Sequence, residues 1–104
     1  MALIIKSTEQ KQLNVRNSSI NLPSIYGRLA FVASIDGRSL EIGINTYENK
    51  EKYTASPENM LLTDFPQGSI KTTIEVGEVQ DVETAHKYGK IAVEQLGYSC
   101  EIDL

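Results

Sequence analysis

Two alternating runs on either side of Asp36-Gly37 constrain this chain more than any other feature. In the first, Ile25, Gly27, Leu29, Phe31, Ala33 and Ile35 share one face, while Ser24, Tyr26, Arg28, Ala30, Val32 and Ser34 share the other. That is the period of a half-buried strand. Asp-Gly suits a two-residue type I′ turn, because both positions take positive φ. A second alternating run follows, from Ser39 to Tyr47. A two-residue turn sets Ala33 opposite Leu40, Phe31 opposite Ile42 and Leu29 opposite Ile44. On the other face Ser34 meets Ser39, Val32 meets Glu41, Arg28 meets Asn45 and Tyr26 meets Tyr47. A slip by one residue would turn the apolar set out of the core.

The same period returns twice. Ile70, Thr72, Ile74 and Val76 share a face in the run Ser69 to Val76, and Tyr98, Cys100, Ile102 and Leu104 share one at the end of the chain. Between them the pattern predicts a helix from about Asp81 to Leu96. Asp81 is a fitting N-cap, Glu83 lies in the first turn, and Gly97 stands at C′. Val82, Ala85, Gly89, Ala92, Val93 and Leu96 form its apolar stripe. The small residues among them let the helix lie close on a sheet.

The remaining segments are less regular. Residues 1–23 read as an N-terminal arm with one or two short strands, ending at Pro23. Residues 48–68 read as a long connection, with a helical turn at Ser56-Pro57-Glu58 and with Met60, Leu61, Leu62 and Phe65 pinning it to the core. The whole is one domain: arm 1–23, hairpin 24–47, connection 48–68 and strand–helix–strand 69–104. The expected fold is α+β, an antiparallel sheet of about four to five strands with one helix of the C-terminal half packed on one face. Its core is expected to hold Ile25, Leu29, Phe31, Ile35, Leu40, Ile42, Ile44, Ile70, Ile74, Val76, Ala85, Ala92, Val93, Leu96, Cys100 and Ile102.

Length and composition remove several classes. The chain has 104 residues, 40% of them apolar, and a formal charge of −4. No apolar run approaches the roughly 18 residues of a membrane span, and Met1 to Lys6 is too short for a secretory signal. The single cysteine excludes an intrachain disulfide framework and a multi-thiolate metal site. An acidic chain with scattered lysines and arginines lacks the basic patch of a nucleic-acid binder.

Catalytic chemistry finds little to stand on. His86 and Cys100 are the only histidine and cysteine, and both sit on faces that read as core or core boundary. Glu75, Glu78, Asp81 and Glu83 read as a solvated strand-to-helix turn without the spacing of a calcium loop. No phosphate loop, His-Glu-x-x-His or nucleophile elbow occurs. The expectation is a non-enzyme with no cofactor and no bound metal.

Association is the better-supported chemistry. Residues 1–28 carry Lys6, Lys11, Arg16 and Arg28 against Glu9, whereas residues 72–104 carry seven carboxylates against Lys87 and Lys90. Opposite charge at the two ends suggests head-to-tail contact between copies. Tyr26, Ala30, Val32 and Tyr47 lie on the outer hairpin face, and Tyr88 and Ile91 lie away from the helix stripe. Lys6, Lys11, Arg16, Tyr26, Arg28, Tyr47, Tyr88 and Ile91 are the candidate contact residues.

Several segments carry a resemblance. They are Leu22-Pro23-Ser24-Ile25-Tyr26-Gly27-Arg28-Leu29, the Asp36-Gly37 hairpin with Tyr47-Glu48-Asn49-Lys50-Glu51-Lys52-Tyr53 after it, and Thr84-Ala85-His86-Lys87 in a helix ending at Leu96-Gly97-Tyr98 before Glu101-Ile102-Asp103-Leu104. Together they resemble small virion proteins of tailed phages and prophages that serve in head–tail connection or tail assembly. The resemblance implies a structural subunit of the head–tail connector, tail or baseplate. It would contact copies of itself and other virion proteins, in the particle and in the bacterial cytoplasm during assembly, and would be neither secreted nor membrane-bound. The other reading is a small monomeric protein-binding or regulatory module using the outer hairpin face.

Overall fold

The computed structural model describes residues 1–34, 37–66, 68–75 and 81–104. The elements run β1 (Ala2–Lys6), β2 (Leu13–Asn14), β3 (Asn21–Leu22), β4 (Ser24–Ser34), β5 (Ser39–Tyr47), α1 (Lys50–Ala55), β6 (Ser69–Thr73), α2 (Val82–Gln95) and β7 (Ser99–Asp103). Five strands form an antiparallel sheet in the order β6-β5-β4-β1-β7, and β2 pairs with β3 in a separate ribbon. The fold is α+β, with α2 packed on one face of the sheet.

Every neighbouring pair in this sheet is antiparallel. The edge strands β6 and β7 therefore point the same way, and α2 carries the chain from one edge to the other across three strands. β1 fills the slot between β4 and β7, so the first of the short strands expected in residues 1–23 is a central strand of the sheet. Leu3 and Ile5 are fully buried, and Leu3 pairs with Gly27 on one side and Ile102 on the other. Such pairing of the two chain ends is non-local, and no short-range pattern encodes it.

The hairpin keeps its expected register only near its base. Tyr26 faces Tyr47, Arg28 faces Asn45 and Leu29 faces Ile44. A bulge between Leu29 and Phe31 then shifts the pairing by one, so Phe31 faces Gly43, Val32 faces Ile42, Ala33 faces Glu41 and Ser34 faces Leu40. The extra residue, Ala30, reverses the faces beyond it. Val32 turns inward against the core, and Phe31, expected inside, is 49% exposed. Its ring lies over Gly43, where any Cβ would collide with it. Glycine in a strand interior here marks the place a neighbouring aromatic occupies. Gly37 has the positive φ expected of it, 77°. Ile35, Asp36 and Val76 lie outside the described residues.

Helix α2 begins and ends where its caps place it. The Asp81 carboxylate accepts from the Thr84 N–H at 2.7 Å, and this bond holds its pKa below the ordinary carboxylate value. Gly97 closes the helix at φ 104°. The buried set is Ala85, His86, Tyr88, Gly89, Ala92 and Val93, an arc of about 160° at about 100° per residue. A curled sheet wrapping the helix explains that width. It draws in Tyr88 and packs Ile91 against the core, both expected outside. Val82, expected in the stripe, stands before the sheet is reached and is 64% exposed. Gly89 marks the closest approach: a Cβ there would meet Leu3 Cδ1 at 3.2 Å.

The other face of the sheet is partly covered too. The connection holds a helix, α1, that was not expected: the Asn49 side chain starts it by accepting from the Lys52 N–H at 2.9 Å and Ser56 is its C-cap, while the turn expected at Ser56-Pro57-Glu58 follows it, closed by the Asn59 N–H donating to the Ser56 carbonyl at 3.0 Å. Phe65 is buried and lies 5.4 Å from the Tyr98 ring. Met60 and Leu62, expected to pin the connection, are exposed. Thr46 does that work instead. It is fully buried, its hydroxyl donates to the Leu61 carbonyl at 2.8 Å, and its own carbonyl accepts from the Leu61 N–H at 2.9 Å.

Candidate functional site

The charged ends of the chain meet within one molecule. Because β1 lies beside β7, Lys6 Nζ donates to Glu101 Oε1 at 2.9 Å. Lys50 on α1 stands 4.0 Å from Asp103. Exposed pairs of this kind contribute about 0–1 kcal/mol, but they leave less charge for a neighbour. Lys11 sits in a turn closed by the Thr8 hydroxyl, which accepts from the Lys11 N–H at 3.1 Å and donates to the Gly97 carbonyl at 2.6 Å. Arg16 is exposed, and its N–H donates to the Leu62 carbonyl at 3.0 Å.

The tyrosines of the outer hairpin face are on the expected side but not on the surface. Tyr26 and Tyr47 are buried, and Tyr53 of α1 covers them with ring centroids at 5.7 and 4.9 Å. The Tyr47 hydroxyl donates to the Pro57 carbonyl, and burial raises its pKa. Arg28 is half-buried. Its guanidinium sits 4.8 Å from the Tyr53 ring centroid, and Nη1 donates to the Met1 carbonyl at 3.0 Å. This cluster fastens α1 to the sheet. Tyr53 is its missed member, signalled only by its place six residues after Tyr47. Tyr88 is also buried, and its hydroxyl accepts from the Glu75 N–H at 3.4 Å. Ile91 is half-buried, so neither helix residue offers a free contact surface.

The two candidate reactive side chains are both buried. Cys100 is buried on the inner face, and burial pushes its thiol pKa up to about 12. At neutral pH the thiolate, the reactive form, is therefore a negligible fraction. His86 Nδ1 lies 2.7 Å from the Val82 carbonyl. A carbonyl only accepts, so Nδ1 carries the proton. Nε2 is buried with no partner among the described residues. No group of three His, Cys, Asp or Glu side chains able to hold a metal occurs among the described residues.

What remains open lies around the far half of β4. The register of β1 on β4 ends at Leu3 opposite Gly27, while β4 runs on to Ser34. Where β1 stops, a cleft of about 260 Å³ opens between β4 and the start of α2, lined by Met1, Arg28, Leu29, Val32, Val82, Ala85 and His86. Phe31 is exposed on the other side of the same strand. A second apolar surface lies by the β2–β3 ribbon. Val15 there bonds to Ile20 through its N–H and bridges Thr63, which leaves Ile20 and Leu62 exposed beside Arg16.

No family model, no curated protein and no solved structure matches this chain. No helix among the described residues is long and apolar enough to cross a membrane.

Proposed function

We propose that the chain is a non-enzymatic structural subunit of a phage-like virion, built to assemble through protein–protein contacts at the head–tail connection, tail or baseplate. The observation that carries the reading is the open sheet. Among the described residues, strand edges are left unpaired at β6, at β7 and along the far half of β4, and unpaired edges are templates for adding another chain. Exposed Phe31 and Val82 supply apolar surface beside the β4 edge, and exposed Ile20 and Leu62 supply a second patch by the β2–β3 ribbon. The deep burial of Cys100 and His86 favours a structural over a catalytic role, and the segment resemblance supplies the virion context. The internal Lys6–Glu101 pair argues for contacts led by strand edges and apolar side chains rather than by charge.

The test is mass spectrometry of density-purified particles from the phage or prophage that encodes the chain. Stoichiometric copies in intact particles support the reading. Absence from particles, with the protein abundant in the producing cells, overturns it.

A further inference from the structure

We infer that residues 30–34 of β4 are the self-association edge of this protein, pairing antiparallel with the same edge of a second copy across a two-fold axis. The inference rests on the assembly reading above and names its contact.

The first observation is a vacancy in hydrogen bonding. On the side away from β5, residues 30–34 make no ladder bond and no other backbone hydrogen bond among the described residues. Ala30, Phe31, Ala33 and Ser34 are exposed, and Val32 is half-buried. The strand space continuing the line of β1 is the open cleft beside α2.

The second observation is charge. The chain carries −4 overall, so copies repel. β7 carries Glu101 and Asp103 and β6 carries Lys71; Lys6, Lys50 and Glu41 pair with them within the fold, yet all three stay exposed enough to meet a neighbour's charge. Natural edge strands use such charges to resist pairing. Ala-Phe-Val-Ala-Ser, residues 30–34, carries none. Of the three strand edges left unpaired among the described residues, it alone carries no charged side chain.

The third observation is apolar surface that pairing would cover. Phe31 on one side of the edge and Val82 on the other are exposed at 49% and 64%. An antiparallel partner brings a second Phe31 and a second Val32 to these places. The contact is isologous, so it closes at two copies. Five residues of strand with these flanking side chains fall short of the roughly 800 Å² per partner of a standard stable interface. The dimer is therefore weak and concentration-dependent unless a larger particle holds it.

The test is sedimentation equilibrium over a wide concentration range on the wild type, Ala33→Lys and Thr73→Lys. Ala33 is exposed and faces Glu41, which already pairs with Lys71 at 3.5 Å, so lysine there stands beside a carboxylate and still puts a cation on the edge. Thr73→Lys makes the same change on β6. The expected result is a wild-type dimer, weakened about tenfold or more by Ala33→Lys and unchanged by Thr73→Lys, with all three sharing one circular-dichroism spectrum. A wild-type dimer that survives Ala33→Lys overturns this edge but keeps self-assembly. A wild type that stays monomeric throughout overturns self-assembly itself. Should Ala33→Lys lose its native spectrum, Ala30→Lys, at the bulge residue without a β5 partner, replaces it with the same two outcomes.

Discussion

Gly89 of α2 lies close on Leu3 of β1, and their coupling can be worked from the structure. Leu3 is fully buried in β1, so Leu3→Ala costs about 2–5 kcal/mol, a large part of the roughly 5–15 kcal/mol that holds a domain of this size. Gly89→Ala alone sets two effects against each other. The helix gains about 0.8–1.0 kcal/mol in propensity. The new Cβ lies 3.2 Å from Leu3 Cδ1, whereas its other neighbours, Leu29 Cδ2 at 3.5 Å and Ile42 Cδ1 at 3.9 Å, are ordinary contacts. Overpacking at a site that cannot yield costs about 1–3 kcal/mol, so Gly89→Ala is neutral to destabilising in the wild type. With Leu3→Ala the crowding atom is gone, and the same change stabilises by about 1 kcal/mol. The four proteins, unfolded in urea and followed by circular dichroism, should therefore show a coupling of about 1–3 kcal/mol. Additivity within about 0.5 kcal/mol, or a Leu3→Ala cost under about 1 kcal/mol, would refute the placement of β1 beneath α2.

Two further outcomes follow from the buried aromatic and thiol groups. Tyr53→Ala should loosen α1 and uncover Tyr26 and Tyr47, at a cost of about 1–2 kcal/mol from lost ring contacts and the lost Arg28 partner. Urea midpoints and near-UV circular dichroism check this, and an unchanged near-UV spectrum would contradict it. Cys100 should resist a disulfide reagent at pH 8 until the protein unfolds. Its thiol pKa is raised from 9.0 in an unfolded chain to about 12 in the fold. The unfolded state therefore loses its proton first, and stability falls as pH rises from about 9 towards 12, by up to about 1.4 kcal/mol per pH unit from this group. Cys100→Ala should flatten that part of the pH dependence relative to the wild type.

The legible parts of this fold are those written in local sequence. The α2 boundaries follow from Asp81 and Gly97, because caps answer needs of the nearby backbone. The hairpin base follows from alternation. The bulge was hidden because Leu29, Phe31 and Ala33 keep alternating through it, so two registers looked equally good. Gly43 was its one trace. β1 was illegible as a central strand, since Leu3-Ile4-Ile5 finds its partners near Gly27 and Ile102 across the length of the chain. The candidate contact residues show the same division. Alternation puts Tyr26 and Tyr47 on the face they occupy, but the cover that α1 puts over them depends on Asn49 starting that helix several residues before Ser56. Lys6 was recognised as basic, while its acidic partner Glu101 came from tertiary structure alone.

Assembly through uncharged strand edges is tested most directly by the mass of the purified protein across concentration, at low and at high salt. The account predicts a rise from the 11.5 kDa chain towards twice that mass, which high salt leaves intact or strengthens, because apolar and backbone contacts carry it while salt screens the repulsion between acidic copies. A mass of 11.5 kDa at every concentration, or an oligomer that salt dissolves, would contradict it.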